Sequence, residues 1–183
     1  MNFLPTLVLA LAGAAEAGVC PGSNVIQDPV EFQWTAQNGY WSGTLEIGEA
    51  TLTIGADTLT TRAYRQAGGS YSIPGPTIRM TPGNTYVLTL KNLLPYAAAS
   101  TVENDLKDPN ITNLHTHGLH VSPMSPSDDV MRLINGTYCG DYVYAVPSDH
   151  MGGTLWYHPH HHGSTFLQVS GGAFGLLLVN DST

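Results

Sequence analysis

"SIPGPTIRMTPGNTYVLTLKNLL" runs from Ser72 to Leu94, and its reading decides the fold. Pro74-Gly75-Pro76 reads as a rigid turn and Pro82-Gly83 as a second one. Between and after them, Thr77 to Met80 and Thr85 to Asn92 read as strands. In the second strand Tyr86, Leu88 and Leu90 fall on one face and Val87, Thr89 and Lys91 on the other, the period of two that a half-buried strand requires.

The same pattern extends outward. "TLEIGEATLTIGADTLTTRAY" (Thr44 to Tyr64), within the segment Val30 to Arg65, alternates and breaks at Gly and Asp, which predicts short strands and hairpins. Tyr142 to Val146, Gly153 to His158 and Phe174 to Val179 read as further strands. Tyr96 to Thr112 and Pro123 to Asp129 read as loops. No segment holds an amphipathic helical period over three turns, and no repeat is visible. Many short strands separated by turns predict an all-β sandwich or barrel.

The composition agrees. The chain has 183 residues, one domain's worth, with 42% hydrophobic and only 11% charged residues, 20 Gly and 12 Pro. Fourteen acids against six bases give a net charge of −8, too few bases to build a nucleic-acid surface. The opening "MNFLPTLVLALAGAAEAG" is apolar, lacks Lys and Arg, and ends in Ala15-Glu16-Ala17. That is an A-x-A cleavage pattern, so residues 1–17 are expected to be a signal peptide and the mature chain secreted. A lipid-modified Cys20 fits less well, because Val19 precedes it where a small residue is needed. No later stretch is apolar and long enough for a membrane span. In an exported chain Cys20 and Cys139 are expected to form a disulfide, the alternative being two separate thiols or pairing outside this chain. Sequons at Asn110, Asn135 and Asn180 fit a secreted glycoprotein.

Two H-x-H pairs carry the chemistry: His115/His117 in "NLHTHGLH" and His158/His160 in "WYHPHHHGST". On a strand, residues i and i+2 share a face about 7 Å apart. Each pair can thus offer two imidazoles to one metal or to two neighbouring metals, and imidazole suits copper, zinc, iron and nickel. The competing reading is a set of surface histidines titrating near pH 6.5.

With their flanks, these segments resemble the first domain of multicopper oxidases, the family of laccases, bilirubin-oxidase-like enzymes and cuprous or ferrous oxidases. The likeness runs from about Ser72 to Asp181 and rests on "IPGPTIRMTPGNTYVLTLKNLL", "NLHTHGLH" and "DYVYAVPSDHMGGTLWYHPHHHGSTFLQVSGGAFGLLLVND", in that order. The resemblance implies a Greek-key β-sandwich of the cupredoxin (plastocyanin-like) type over residues 66–183, with residues 18–65 as an N-terminal extension and first strands. It also implies copper as cofactor: His115 on a type 2 copper, and His117, His158 and His160 on a type 3 pair, half the ligands of a trinuclear cluster that reduces O₂ to water. Asp128 falls where laccase-like proteins carry an acid near the cluster, which suggests a catalytic part in proton delivery, although a solvated loop acid is the ordinary reading of such a residue. His120, His150, His161 and His162 are expected to stay off the metal, as loop residues or on the wrong face.

The resemblance also marks departures. Where the family's last domain has the cysteine of a type 1 copper, this chain has Pro159, and Ser164 and Val169 stand at the further ligand positions. A type 1 site is therefore not expected here, and the remaining cluster histidines are expected from missing C-terminal cupredoxin domains or another copper-oxidase subunit. The chain alone is then not catalytically complete, and phenols, bilirubin, Fe²⁺ and Cu⁺ all stay open as reductants. Two other readings remain: a stand-alone extracellular copper-binding module without oxidase activity, and a non-enzymatic β-domain with relic histidines.

Overall fold

The computed structural model describes residues 28–102 and 106–181. Its strands are β1 (Thr35–Gln37), β2 (Tyr40–Ile54), β3 (Asp57–Gln66), β4 (Gly75–Met80), β5 (Thr85–Asn92), β6 (His115–His117), β7 (Cys139–Ala145), β8 (Gly153–His158) and β9 (Gly175–Val179), with one short helix, α1 (Thr165–Ser170), before β9. They form two sheets. One runs β1-β2-β5-β7 with β3 also on β2; the other runs β4-β9-β8-β6.

The alternation read in β5 does what the pattern demands. Tyr86, Leu88 and Leu90 are buried, and they face Tyr144, Tyr142 and Gly140 across an antiparallel ladder with β7. The second sheet closes this core with Ile78, Met80, Tyr157, Leu177 and Val179. Burying a leucine fully, as at Leu45, Leu88 and Leu90, contributes about 2 kcal/mol each. Gly175 lies opposite Tyr157 in the β8–β9 register, and a Cβ there would stand 2.3 Å from the phenol ring. Its bareness lets Tyr157 lie flat in the core, where the hydroxyl donates to the Pro76 carbonyl at 2.7 Å.

Three elements differ from the sequence reading. The Val30–Arg65 region is dominated by one long hairpin rather than short strands: β2 and β3 pair continuously from Leu45↔Gln66 to Ile54↔Asp57. The break expected at Gly48 is instead a packing position, since a Cβ there would meet the Tyr71 hydroxyl at 2.2 Å. Within this hairpin Gly55, at φ +64°, turns the chain, in a two-residue loop with Ala56. Glu46, in the middle of β2, lies opposite Arg65 on one side and Lys91 on the other, and its carboxylate pairs with both, at 2.8 and 3.5 Å. Pro76 lies inside the start of β4 rather than in a turn, a strand-start position that tolerates the missing N–H. Finally, α1 is less than two turns long, too short to show a helical period. Its buried Gln168 ties it to the loop before β6 by donating to the carbonyls of Pro109 and Ile111 and accepting from the Thr112 hydroxyl.

For the site, the decisive pairing is β6 with β8. The register sets His115 directly opposite His158 and His117 opposite Trp156. Gly118, at φ +98°, then turns the chain out of β6, a conformation that favours glycine.

Candidate metal centre

The β6–β8 ladder brings the two H-x-H pairs together. Ring centroids of His115 lie 5.4, 5.3 and 5.2 Å from those of His117, His158 and His160. One ligand nitrogen each from His115, His117 and His158 fall within 4.8 Å of one another, close enough to share one ion or a pair of adjacent ions. His160 stands beside this trio, 5.8 Å from the His158 ring. The strand argument accounts for His115/His117 but only partly for His158/His160. β8 ends at His158, and His160 lies beyond Pro159, off the strand.

The second contact of each inner ring fixes which nitrogen faces the cleft. His115 Nδ1 lies 2.9 Å from Asp128 Oδ2, where the carboxylate accepts, so Nε2 is the nitrogen left on the far side of the ring. His158 Nδ1 donates to the Pro159 carbonyl at 2.8 Å, and its buried Nε2 has no hydrogen-bond partner among the described residues. Burial pushes the His158 pKa down, the Pro159 carbonyl opposes this, and the neighbouring histidines push it down further. The ring is thus held neutral, the form that binds metal. A buried, orphaned imidazole nitrogen aimed at two more imidazoles fits a metal ion, and the all-nitrogen donor set fits copper.

Asp128 is not a solvated loop acid. It is only 8% exposed, and its carboxylate is doubly engaged, by His115 and by the Thr116 N–H at 2.8 Å. Among the other histidines, His161 is buried and turned away from the cleft's other rings to Asp108, with Nε2 3.3 Å from the carboxylate. His162 is exposed. His120 and His150 pair with each other: the His120 backbone N–H donates to His150 Nε2 at 3.0 Å.

Sequence reading missed two residues that shape the site. Trp156 stacks on His158 with centroids 4.0 Å apart and on His117 at 5.3 Å, both at 28°, and forms one wall of the cleft. Its position two residues before His158, on the same face of β8, was the available signal. Asn113 is fully buried, and its Oδ1 accepts from the His160 N–H. The cleft is open: His117 and His160 are exposed, and beside His160 lies a groove of about 1140 Å³ lined by Met131, Leu133, Phe166 and His162.

A two-sheet sandwich with four imidazoles gathered at the edge strand β6 and its neighbour β8 defines a cupredoxin-type domain with a candidate metal centre. The sequence model of the multicopper oxidase family matches residues 57–183, and the chain belongs to that family. It is 29% identical to copper resistance protein A of Pseudomonas syringae pv. tomato over 174 residues, covering 91% of this chain and 24% of that protein. It is 29% identical to a laccase of Bacillus stratosphericus, covering 75% of this chain and 29% of the laccase. Among solved structures, a laccase from Pediococcus acidilactici superposes with a TM-score of 0.67 at 23% identity over 88% of this chain and 31% of that one. A multicopper oxidase from Campylobacter jejuni, described as a metallo-oxidase, gives 0.63 at 25% identity over 86% of this chain and 30% of that one. The chain thus spans about a quarter to a third of the length of these relatives.

Proposed function

We propose that this chain is the copper-binding N-terminal domain of a secreted multicopper oxidase and supplies half the histidine ligands of a trinuclear cluster. His115 would hold the type 2 copper, and His117, His158 and His160 the type 3 pair. When bound, the coppers supply the electron-transfer chemistry that reduces O₂ to water. The chain's own residues orient the ligands, and burial keeps His158 neutral. Asp128 holds His115 with Nε2 inward and lies close enough to move a proton at Nδ1. Trp156 walls the cleft beside His117 and His158.

The observation that carries this reading is the convergence of the rings, with Nδ1 engaged at both inner histidines and the buried Nε2 of His158 without a partner among the described residues. The openness of the cleft supports the rest. Exposed His117 and His160, beside the exposed apolar Met131, Leu133 and Phe166, suit a face covered by further cupredoxin domains of a longer protein or another subunit. Pro159 between His158 and His160 offers no thiolate, so the reducing substrate, whether a phenol, bilirubin, Fe²⁺ or Cu⁺, would be selected elsewhere. The leader and the sequons belong to the same secreted reading. Asn135 and Asn180 engage Nδ2 with the Ala97 carbonyl and the Thr81 hydroxyl, which favours Asn110 as the glycan acceptor.

Copper titration of the purified chain tests the proposal. Binding at low micromolar copper that is lost in His158→Ala/His160→Ala supports it, and a chain that takes up no copper at that level overturns it. The likeness to copper resistance protein A favours a second reading, a copper-handling module without oxidase activity. Oxygen consumption by the longer protein with a reductant separates the two.

A further inference from the structure

Asn113 stands between the two histidine pairs and belongs to neither. It lies two residues before His115 and is fully buried. Its Oδ1 accepts from the His160 N–H at 2.6 Å, and its Nδ2 donates to the Val130 carbonyl at 2.6 Å.

Both bonds gain weight from what else holds these segments. His158 is set opposite His115 by the β6–β8 ladder. That ladder stops at His158, and Pro159 has no N–H to extend it. The amide of Asn113 takes over at His160, the ligand beyond the strand. On its other side it grips Val130, two residues past Asp128, the acid that orients His115. A buried carboxamide is costly unless both ends are paired, and here both ends are. One side chain therefore spans the ligand loop and the loop that carries the acid.

We infer that Asn113 is a positioning residue of the metal centre: it fixes where His160 stands relative to the other three imidazoles and couples that place to the Asp128 loop. The inference rests on the copper-binding reading above and deepens it. Asn113 acts through His160 and through the Asp128 loop and does not itself ligate copper.

The test titrates Cu²⁺ into the full 183-residue chain. Affinity is read by chelator competition and the number of coordinated imidazoles by pulsed EPR. The variants are Asn113→Leu, of similar volume with no polar group, Asn113→Ser, His160→Ala, and Asn113→Leu combined with His160→Ala. Asn113→Leu should weaken copper binding by about 10–100-fold and remove one imidazole from the count. Combined with His160→Ala it should add clearly less than Asn113→Leu costs alone, because the arm through His160 is already gone and only the arm to the Asp128 loop is left to lose. A residue that merely filled space would leave the imidazole count unchanged or give additive losses, and either result overturns the inference. Asn113→Ser, too short to reach His160, carries the same expectation if the leucine variant does not fold. A wild-type chain that binds no copper overturns the proposed function and this inference with it; a wild type that binds copper while both Asn113 variants match it overturns the inference alone.

Discussion

His115 and Asp128 are joined by a 2.9 Å bond from Nδ1 to Oδ2, while the other oxygen of the same carboxylate takes the N–H of Thr116. Strand and side chain of the first ligand are thus anchored to one buried acid. Asp128→Ala leaves two donors without a partner, at a cost of about 1–3 kcal/mol each where they are buried, and frees the ring to turn. Denaturant unfolding should show the loss of stability, and copper affinity should fall by about 10–100-fold. Asp128→Asn, which keeps an acceptor oxygen, should lose less of both.

Gly175 predicts a loss of stability that leaves copper binding alone. Gly175→Ala drives a methyl into the Tyr157 ring and should cost about 1–3 kcal/mol in chemical denaturation. Copper affinity measured on the folded fraction should change little, because Tyr157 faces the core rather than the cleft.

The buried tyrosines set an alkaline limit. Burial pushes Tyr142 up to about 12 from 10.0, and Tyr64, Tyr144 and Tyr157 are raised as well. Above pH 10 the unfolded chain releases these phenolic protons while the folded chain keeps them, so unfolding gains stability relative to the native state as pH rises. The contribution is fully present below pH 10 and is lost as pH climbs through about 12. Denaturant midpoints should fall steadily over that window, with buried-tyrosinate absorbance appearing together with unfolding rather than before it.

Cys139 is exposed at the first residue of β7, accessible to a partner thiol, while Cys20 lies outside the described residues. Peptide mapping of the purified protein without reduction should yield a linked Cys20–Cys139 peptide. Recovery of Cys139 alkylated in unreduced protein would count against the disulfide.

The sequence made legible what repeats locally. The period-two pattern of Tyr86, Leu88 and Leu90 needs no tertiary knowledge, and Gly153 to His158 is bounded as read. Glycine was ambiguous: Gly48 and Gly55 look alike in sequence, yet one makes room for Tyr71 inside a strand and the other makes the turn. At the site, spacing revealed the imidazoles but not what holds them. The bonds from Asp128 to His115 and from Asn113 to His160 span 13 and 47 residues, and no local pattern records such pairs. His161 shows the same limit, because its partner Asp108 lies 53 residues away.

Trp156 gives the cleft an optical readout of its own. The chain has three tryptophans, and this one lies flat against two of the candidate copper ligands. Paramagnetic Cu²⁺ bound by His117 or His158 would sit beside the indole and quench its emission, while Trp34, packed between Phe32 and Tyr86, keeps shining. The fraction of light extinguished at saturation then reports, without any label, that the metal has arrived at this cleft rather than at a histidine elsewhere on the surface.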